Sequence, residues 1–185
     1  MFPMEETDDM IIKRTLSGED LAFSFLVDRY KSRVYTLAYK MVFHLEVAED
    51  ISQEAFMKIY RNLGNYDAKK ASFSTWAYRI TYNLCVDYLR KKRDEVPLND
   101  EYPLANHCTP EEEAIKSEQV SRLHQAIDSL PEDYRVPVVL FHFQGLRYQQ
   151  ICDVLDVPMS IVKNRLYRAR KLLRKELSGG EGNGL

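Results

Sequence analysis

Glycine and proline are scarce in these 185 residues, with seven of each, and cysteine occurs three times. So few helix-interrupting residues leave long segments free to coil, and most of the length can be written at helical spacing. Cys85, Cys108 and Cys152 are odd in number and 23 and 44 residues apart. That spacing fits neither a disulfide framework nor a zinc site, so the three read as free thiols. His107 beside Cys108 has no second pair of ligands with it. No run of 18 apolar residues occurs, so no membrane insertion is expected. The opening "MFPMEETDDM" is acidic and lacks the basic start and apolar run of a signal peptide. A cytoplasmic protein is expected.

What is present is 45% hydrophobic and 29% charged, dominated by Leu, Ala, Glu, Lys and Arg. An all-α protein follows. The net charge of −2 is unevenly spread. Residues 1–93 carry fifteen basic and thirteen acidic side chains, residues 94–120 one and eight, and residues 121–185 ten and seven. Two mildly basic helical blocks thus flank an acidic connector. Local sign is what matters at a binding face, so an acidic pI does not exclude nucleic acid.

The first helix is expected after "LSGED", capped by Ser17 or Asp20, with Ala22, Phe25, Leu26, Tyr30, Val34, Leu37, Ala38 and Met41 on one apolar face. A second runs through "VAEDISQEAFMKIYRNL", with Val47, Ile51, Ala55, Ile59 and Leu63 inward. Gly64 and Asn65 break it, and a third helix starts near Ser72 or Ser74. Residues 94–112 hold three prolines, excess acid and no helical period, as a linker does. The expected organisation is a helical domain over 1–93, an acidic linker over 94–112, a second helical domain over 113–178 and a disordered Gly-rich tail over 179–185. In the second domain "YRVPVVLFHFQ" reads as a helix with Pro137 in its first turn. "RYQQICDVLD" and "MSIVKNRLYRARKLLRKEL" are joined only by "VP", and Ile151, Leu155, Val157, Val162 and Leu166 would bury the corner between them. That is a helix-turn-helix pattern.

Residues 163–175 hold seven basic side chains and no acid: Lys163, Arg165, Arg168, Arg170, Lys171, Arg174 and Lys175. They spread over the faces left free by Val162, Leu166, Ala169 and Leu173. Such groups contact phosphates, and Arg reaches guanine edges in the major groove. A solvated basic helix would look the same in isolation; the preceding short helix and tight turn favour DNA. On the third helix Phe73, Ala77, Ile80, Leu84 and Tyr88 fall in a sector about 100° wide, as an amphipathic core face requires. Tyr78 and Tyr82 point to the opposite side, and Arg79, Asn83 and Arg90 form a polar stripe between. Exposed tyrosines beside Arg and Asn suit unstacked bases, but ordinary surface tyrosines would look alike. On the second helix Asp50, Gln53 and Glu54 share one face. No His stands at a matching step, which leaves a solvated face or a docking patch rather than a metal site.

"AEDISQEAF" (48–56), "FSTWAYRITYNL" (73–84) and "LPEDYRVPVVL…RYQQICDVLDVPMSIVKNRLYRARKLL" (130–173), in this order, resemble the extracytoplasmic-function sigma factors, two-domain members of the sigma-70 superfamily in bacteria. The resemblance covers about residues 15–177. It implies a domain 2 bundle and a domain 4 helix-turn-helix that bind core RNA polymerase, through its β′ clamp and β subunit, and promoter DNA. Asp50, Gln53 and Glu54 would dock on the β′ coiled coil. The loop 65–72, with Tyr66 at its edge, would receive a base flipped from the −10 element. Tyr78, Tyr82 and Asn83 would meet melted −10 DNA, with Arg79, Arg90, Lys91 and Lys92 on its backbone. Ser160, Lys163, Asn164, Arg165, Arg168, Arg170 and Lys171 would contact the −35 element. The family often has Gly-Thr where Ser160-Ile161 stand, Ser at the position of Asn164 and Gly at that of Asp156.

The resemblance further implies a monomer when free, a cognate anti-sigma factor, a stress or envelope regulon, no cofactor, no metal and no enzymatic step. The competing reading of the residues is a polymerase-independent regulator that binds duplex DNA through the helix-turn-helix alone.

Overall fold

A computed structural model describes residues 6–95 and 118–179. Helix α1 (Asp8–Leu16) precedes the expected first helix. Thr7 caps it, Asp8 and Asp9 occupy its first turn and Lys13 and Arg14 its last, each sign matched to the helix dipole. It buries Ile11, Ile12 and Thr15. Ser17, expected to cap the next helix, instead closes this one, its hydroxyl donating to the Arg14 carbonyl at 2.7 Å.

After a 3-10 turn at Asp20–Ala22, helix α2 (Phe23–Val42) buries Leu26, Tyr30, Val34, Leu37, Ala38 and Met41. Phe25, expected on that face, is half exposed, with the Arg14 guanidinium over its ring. Phe43 ends α2 in the left-handed conformation, φ 50°, its N–H bonded to the Tyr39 carbonyl. The ring nitrogen Nδ1 of His44 then accepts from the Val47 amide and caps helix α3 (Leu45–Arg61). Ala48, Ile51, Ala55 and Ile59 face inward from α3, with Ser52 buried among them. The loop to helix α4 (Phe73–Glu95) ends at Ser72, whose hydroxyl accepts from the Thr75 amide at 3.3 Å. Helices α2, α3 and α4 pack against one another, and Tyr30 meets Phe73 at a tilt and Tyr78 edge-on inside the bundle.

Most of the expected linker, with Cys108 and His107, lies outside the described residues, as does the tail from residue 180. Helix α5 (Glu118–Asp128) is followed by α6 (Glu132–Val138). Helix α6 starts two residues earlier than expected, so Pro137 lies past its first turn. Proline there removes an intrahelical donor, and the helix widens directly into a π turn over Val139–Phe143, with the Gln144 amide bonded to the Val139 carbonyl at 3.1 Å. Helices α7 (Tyr148–Leu155) and α8 (Met159–Gly179) form the expected corner, closed by buried Ile151, Leu155, Val162, Leu166 and Ala169. Asp156 makes the turn in the left-handed conformation, φ 55°. Among the described residues there is no strand.

The second set of helices lies against the first. Helix α7 packs along α4, and α6 with its π turn packs on α2. Lys40 Nζ reaches both carboxylate oxygens of Asp128, at 2.6 and 2.8 Å. Arg135, 7% exposed, donates through Nε to the Lys40 carbonyl at 2.7 Å. Gln144 Nε2 donates to the Arg33 carbonyl at 3.1 Å.

Candidate nucleic-acid interface

Helix α3 presents Asp50, Gln53 and Glu54 to solvent on one face, because Ile51, Ala55 and Ile59 occupy the other. Glu54 pairs with Lys58 one turn on, at 3.2 Å. Met57, half exposed, continues the same stripe. Among the described residues no group of three or more His, Cys, Asp or Glu is placed to hold a metal ion.

Helix α4 carries one correction. Tyr78 was expected to face solvent, and it is fully buried in the bundle, its hydroxyl short of a well-formed hydrogen bond but acted on by Arg33. Burial pushes its pKa up. The buried residues of α4 are Phe73, Thr75, Ala77, Tyr78, Thr81, Leu84 and Cys85, so the core sector is widened and rotated toward Tyr78. Ile80 and Tyr88, expected within that sector, are half-buried. The reason is packing on more than one side: α4 meets α2 and α3 on one flank and α7 on another, so no single 100° sector describes its burial. Cys85 lies deep in this core, and burial pushes its thiol up to about 12.

The polar residues of α4 divide. Asn83, Arg90, Lys91, Lys92 and Arg93 are exposed, and Arg90 pairs with Asp87 at 3.1 Å. Arg79 has Asp156 of the helix-turn-helix at 3.7 Å. Tyr82 is half-buried, in the field of Glu132, Arg165 and Asp133 from the second set of helices, and burial foremost raises its pKa. Arg93 reaches Glu132 at 3.8 Å.

Tyr66 sits at the start of the loop before α4, its ring 5.4 Å from Trp76 and 5.8 Å from Phe73. Burial, then Asp9, Asp8 and Asp67, push its hydroxyl up to about 12. The far end of that loop holds two hydroxyls that sequence reasoning passed over as site residues. Ser72 Oγ and Thr75 Oγ1 are 2.8 Å apart, and both accept from Gln150 Nε2 of α7, at 3.3 and 3.1 Å. A Ser/Thr pair at a helix start reads as a cap, so nothing local distinguishes it.

On α8 the expected contacts Ser160, Lys163, Asn164, Arg168, Arg170 and Lys171 are exposed, with Tyr167 two-thirds exposed among them. Tyr167 was missed, although an aromatic between cations was a signal in plain view. Arg170 is held by the Tyr148 hydroxyl at 2.7 Å and Arg168 by the Tyr134 hydroxyl at 3.4 Å. Arg165 is turned inward, bonded to Asp133 at 2.5 Å with a quarter of its side chain exposed. These arrangements orient cations and aromatic rings, which suits binding of phosphates and bases.

Two family models match the chain in order: Sigma-70 region 2 over residues 26–95 and Sigma-70, region 4 over residues 121–173. The chain is 36% identical over 177 residues to the ECF RNA polymerase sigma factor SigW of Bacillus subtilis, covering 90% of this chain and 94% of that protein. It is 33% identical over 184 residues to the RNA polymerase sigma-H factor of Pseudomonas aeruginosa, covering 94% and 95%. It is 33% identical over 178 residues to the ECF RNA polymerase sigma-E factor of Escherichia coli strain K12, covering 90% and 92%. Among solved structures, CnrH in complex with the cytosolic domain of CnrY shares the fold at a TM-score of 0.69 and 22% identity, covering 94% and 99%. The sigma factor RpoE in complex with the anti-sigma factor NepR from Bartonella quintana does so at 0.69 and 20%, covering 84% and 96%.

Proposed function

The chain belongs to the extracytoplasmic-function RNA polymerase sigma factors of the sigma-70 superfamily, and from that premise we propose how its residues divide the work. As a sigma factor it directs promoter-specific transcription initiation. The polymerase-independent regulator is not favoured, because the region 2 match covers residues 26–95 outside the helix-turn-helix.

The two domains span 1–93 and 113–178. Asp50, Gln53 and Glu54 dock on the β′ clamp of core polymerase, and the second domain meets the β subunit. Tyr66, Arg79, Tyr82, Asn83, Arg90, Lys91 and Lys92 bind the melted −10 strand, where capture of unstacked bases offsets the few kcal/mol of unstacking. Ser160, Lys163, Asn164, Arg168, Arg170 and Lys171 contact the −35 duplex. Arg165 joins them once it leaves Asp133. No bond is made or broken. A cognate anti-sigma factor is the further partner, as NepR is bound to RpoE of Bartonella quintana. The location is the cytoplasm and the regulon a stress or envelope response.

The observation that carries this reading is the exposed Asp50–Gln53–Glu54 stripe on a helix inside the region 2 match. The test is run-off transcription by bacterial core polymerase on a genomic promoter pool. Promoter-selective transcripts are expected with the native chain and absent with Asp50→Ala/Glu54→Ala. Equal transcription by that variant refutes the docking role.

A further inference from the structure

A row of aromatic rings runs from the core of the first domain to the loop assigned to the flipped −10 base. Tyr30, 6% exposed, lies 5.2 Å from Phe73, which is 2% exposed. Phe73 in turn lies 5.8 Å from Tyr66 and 6.0 Å from Trp76. The first two rings are core, and the last two are half-buried beside the loop. The inner end of the row has a polar anchor on α1. The Tyr30 hydroxyl donates to Oδ2 of Asp8, in the first turn of that helix. The other carboxylate oxygen, Oδ1, accepts from Nη1 of Arg29, whose Nη2 donates to the Glu6 carbonyl at 2.7 Å. Both oxygens of Asp8 are thus used, and its side chain is only 24% exposed. Helix α1 also packs on the 3-10 turn at Leu63–Asn65, and the Tyr66 amide bonds the Leu63 carbonyl of that turn at 3.1 Å. Helix α1 therefore reaches Tyr66 by two routes, through the rings and through the turn. The charges of Asp9 and Asp8 are felt at the Tyr66 hydroxyl.

We propose that Asp8 is a positioning residue for base capture, which fixes Tyr30 by its hydroxyl and so sets, through Phe73, the ring of Tyr66 that a flipped −10 base meets. The inference rests on the assignment of the loop 65–72 to that base. Packed rings favour particular separations and tilts, so a ring fixed at one end of the row constrains the next. A base pocket needs its side chains locked by the residues behind them, and Asp8 and Tyr30 are behind Phe73 and Tyr66. The Asp8–Tyr30 bond favours the competent arrangement by its own net worth. Its loss lowers the apparent affinity for the strand by the fraction of molecules that leave that arrangement.

The test uses the holoenzyme and a fluorescently labelled single strand spanning the −10 element of a promoter that it selects. The strand is supplied intact and, in turn, made abasic at each position of the element; the abasic position that weakens native binding most marks the captured base. Tyr30→Phe keeps the ring, changes no charge and removes the anchor. It is expected to weaken anisotropy-measured binding of the intact strand about threefold to tenfold, and to leave binding of the strand that lacks the captured base unchanged. Asp8→Ala removes a negative charge, which by itself tightens DNA binding. Positioning predicts the reverse: a loss equal to that of Tyr30→Phe, with no further loss when the two are combined. Asp8→Asn keeps an acceptor for the Tyr30 hydroxyl and retains most of the native affinity. Unchanged binding of the intact strand in Tyr30→Phe and Asp8→Ala overturns the inference alone. So do equal losses on the intact and abasic strands, which a general loosening of the fold would give. A native holoenzyme that binds every abasic strand as tightly as the intact one overturns the assignment of the loop, and the inference with it.

Discussion

The Arg135 guanidinium lies over the ring of Phe43, 4.5 Å from its centroid, where a helix of one domain meets the end of a helix of the other. Phe43 offers that ring from a left-handed backbone position that terminates α2. Arg135 uses its remaining donors on the carbonyls of Lys40 at 2.7 Å and Leu130 at 2.6 Å. Desolvation lowers its pKa, and these acceptors and the ring face supply what water would have given.

Arg135→Ala is therefore expected to destabilise the chain by about 2–4 kcal/mol, since it strands two carbonyls and opens a cavity at once. Urea unfolding measures it. Arg135→Lys recovers only part of the loss, because an ammonium cannot reproduce the planar fork. Full recovery by Lys would show that charge alone sufficed.

Tyr78→Phe is expected to change stability by less than about 1 kcal/mol, because the buried hydroxyl it removes makes no well-formed hydrogen bond and only a charge interaction with Arg33. Single-strand binding should not change. A loss of strand affinity would return Tyr78 to the binding surface.

Asp156→Gly relieves a left-handed residue at the end of α7. Its ion pair with Arg79 leaves the Asp156 side chain 87% exposed and contributes little. A gain of about 0.5–1 kcal/mol follows, read as a rise of about 1–4 °C in Tm for a chain of this size.

Alkali should weaken the fold through Cys85. Its pKa rises from the ordinary 9.0 to about 12 on folding, by burial first and then by the charge of Glu132. The unfolded chain releases this proton first, so stability is intact below about pH 8.5 and falls as pH climbs toward the folded value. Between pH 8 and 10 the loss is on the order of 1 kcal/mol. Cys85→Ala should flatten that part of the pH profile in urea titrations; an equally steep profile would assign the alkaline loss to other groups.

Lys171→Ala is expected to weaken holoenzyme binding to any −35 duplex about equally, and to lower the slope of log affinity against log salt by about 1, as loss of one phosphate contact does. A change confined to particular base pairs would make Lys171 a reader of sequence instead.

How much of this was legible in advance follows from the range of the forces involved. Helices α2, α3, α4 and α8 and the α7–α8 corner could be read from apolar spacing, because a helix is built from contacts three and four residues apart. The Asp50–Gln53–Glu54 stripe was legible for the same reason. Helix α1 was passed over: its start is acidic and it buries only Ile11, Ile12 and Thr15, too short a pattern to stand out.

The sequence by itself determined which segments coil, where the positive charge of α8 lies and which residues form the helix-turn-helix corner. Only the tertiary structure decided that Tyr78 is core, that Arg165 turns toward Asp133 and that Gln150 rests on Ser72 and Thr75. Those outcomes depend on contacts between residues 32 to 78 positions apart in the chain, or on a helix packed on more than one side. Periodicity gives the face of a helix but is silent about how many neighbours it will have.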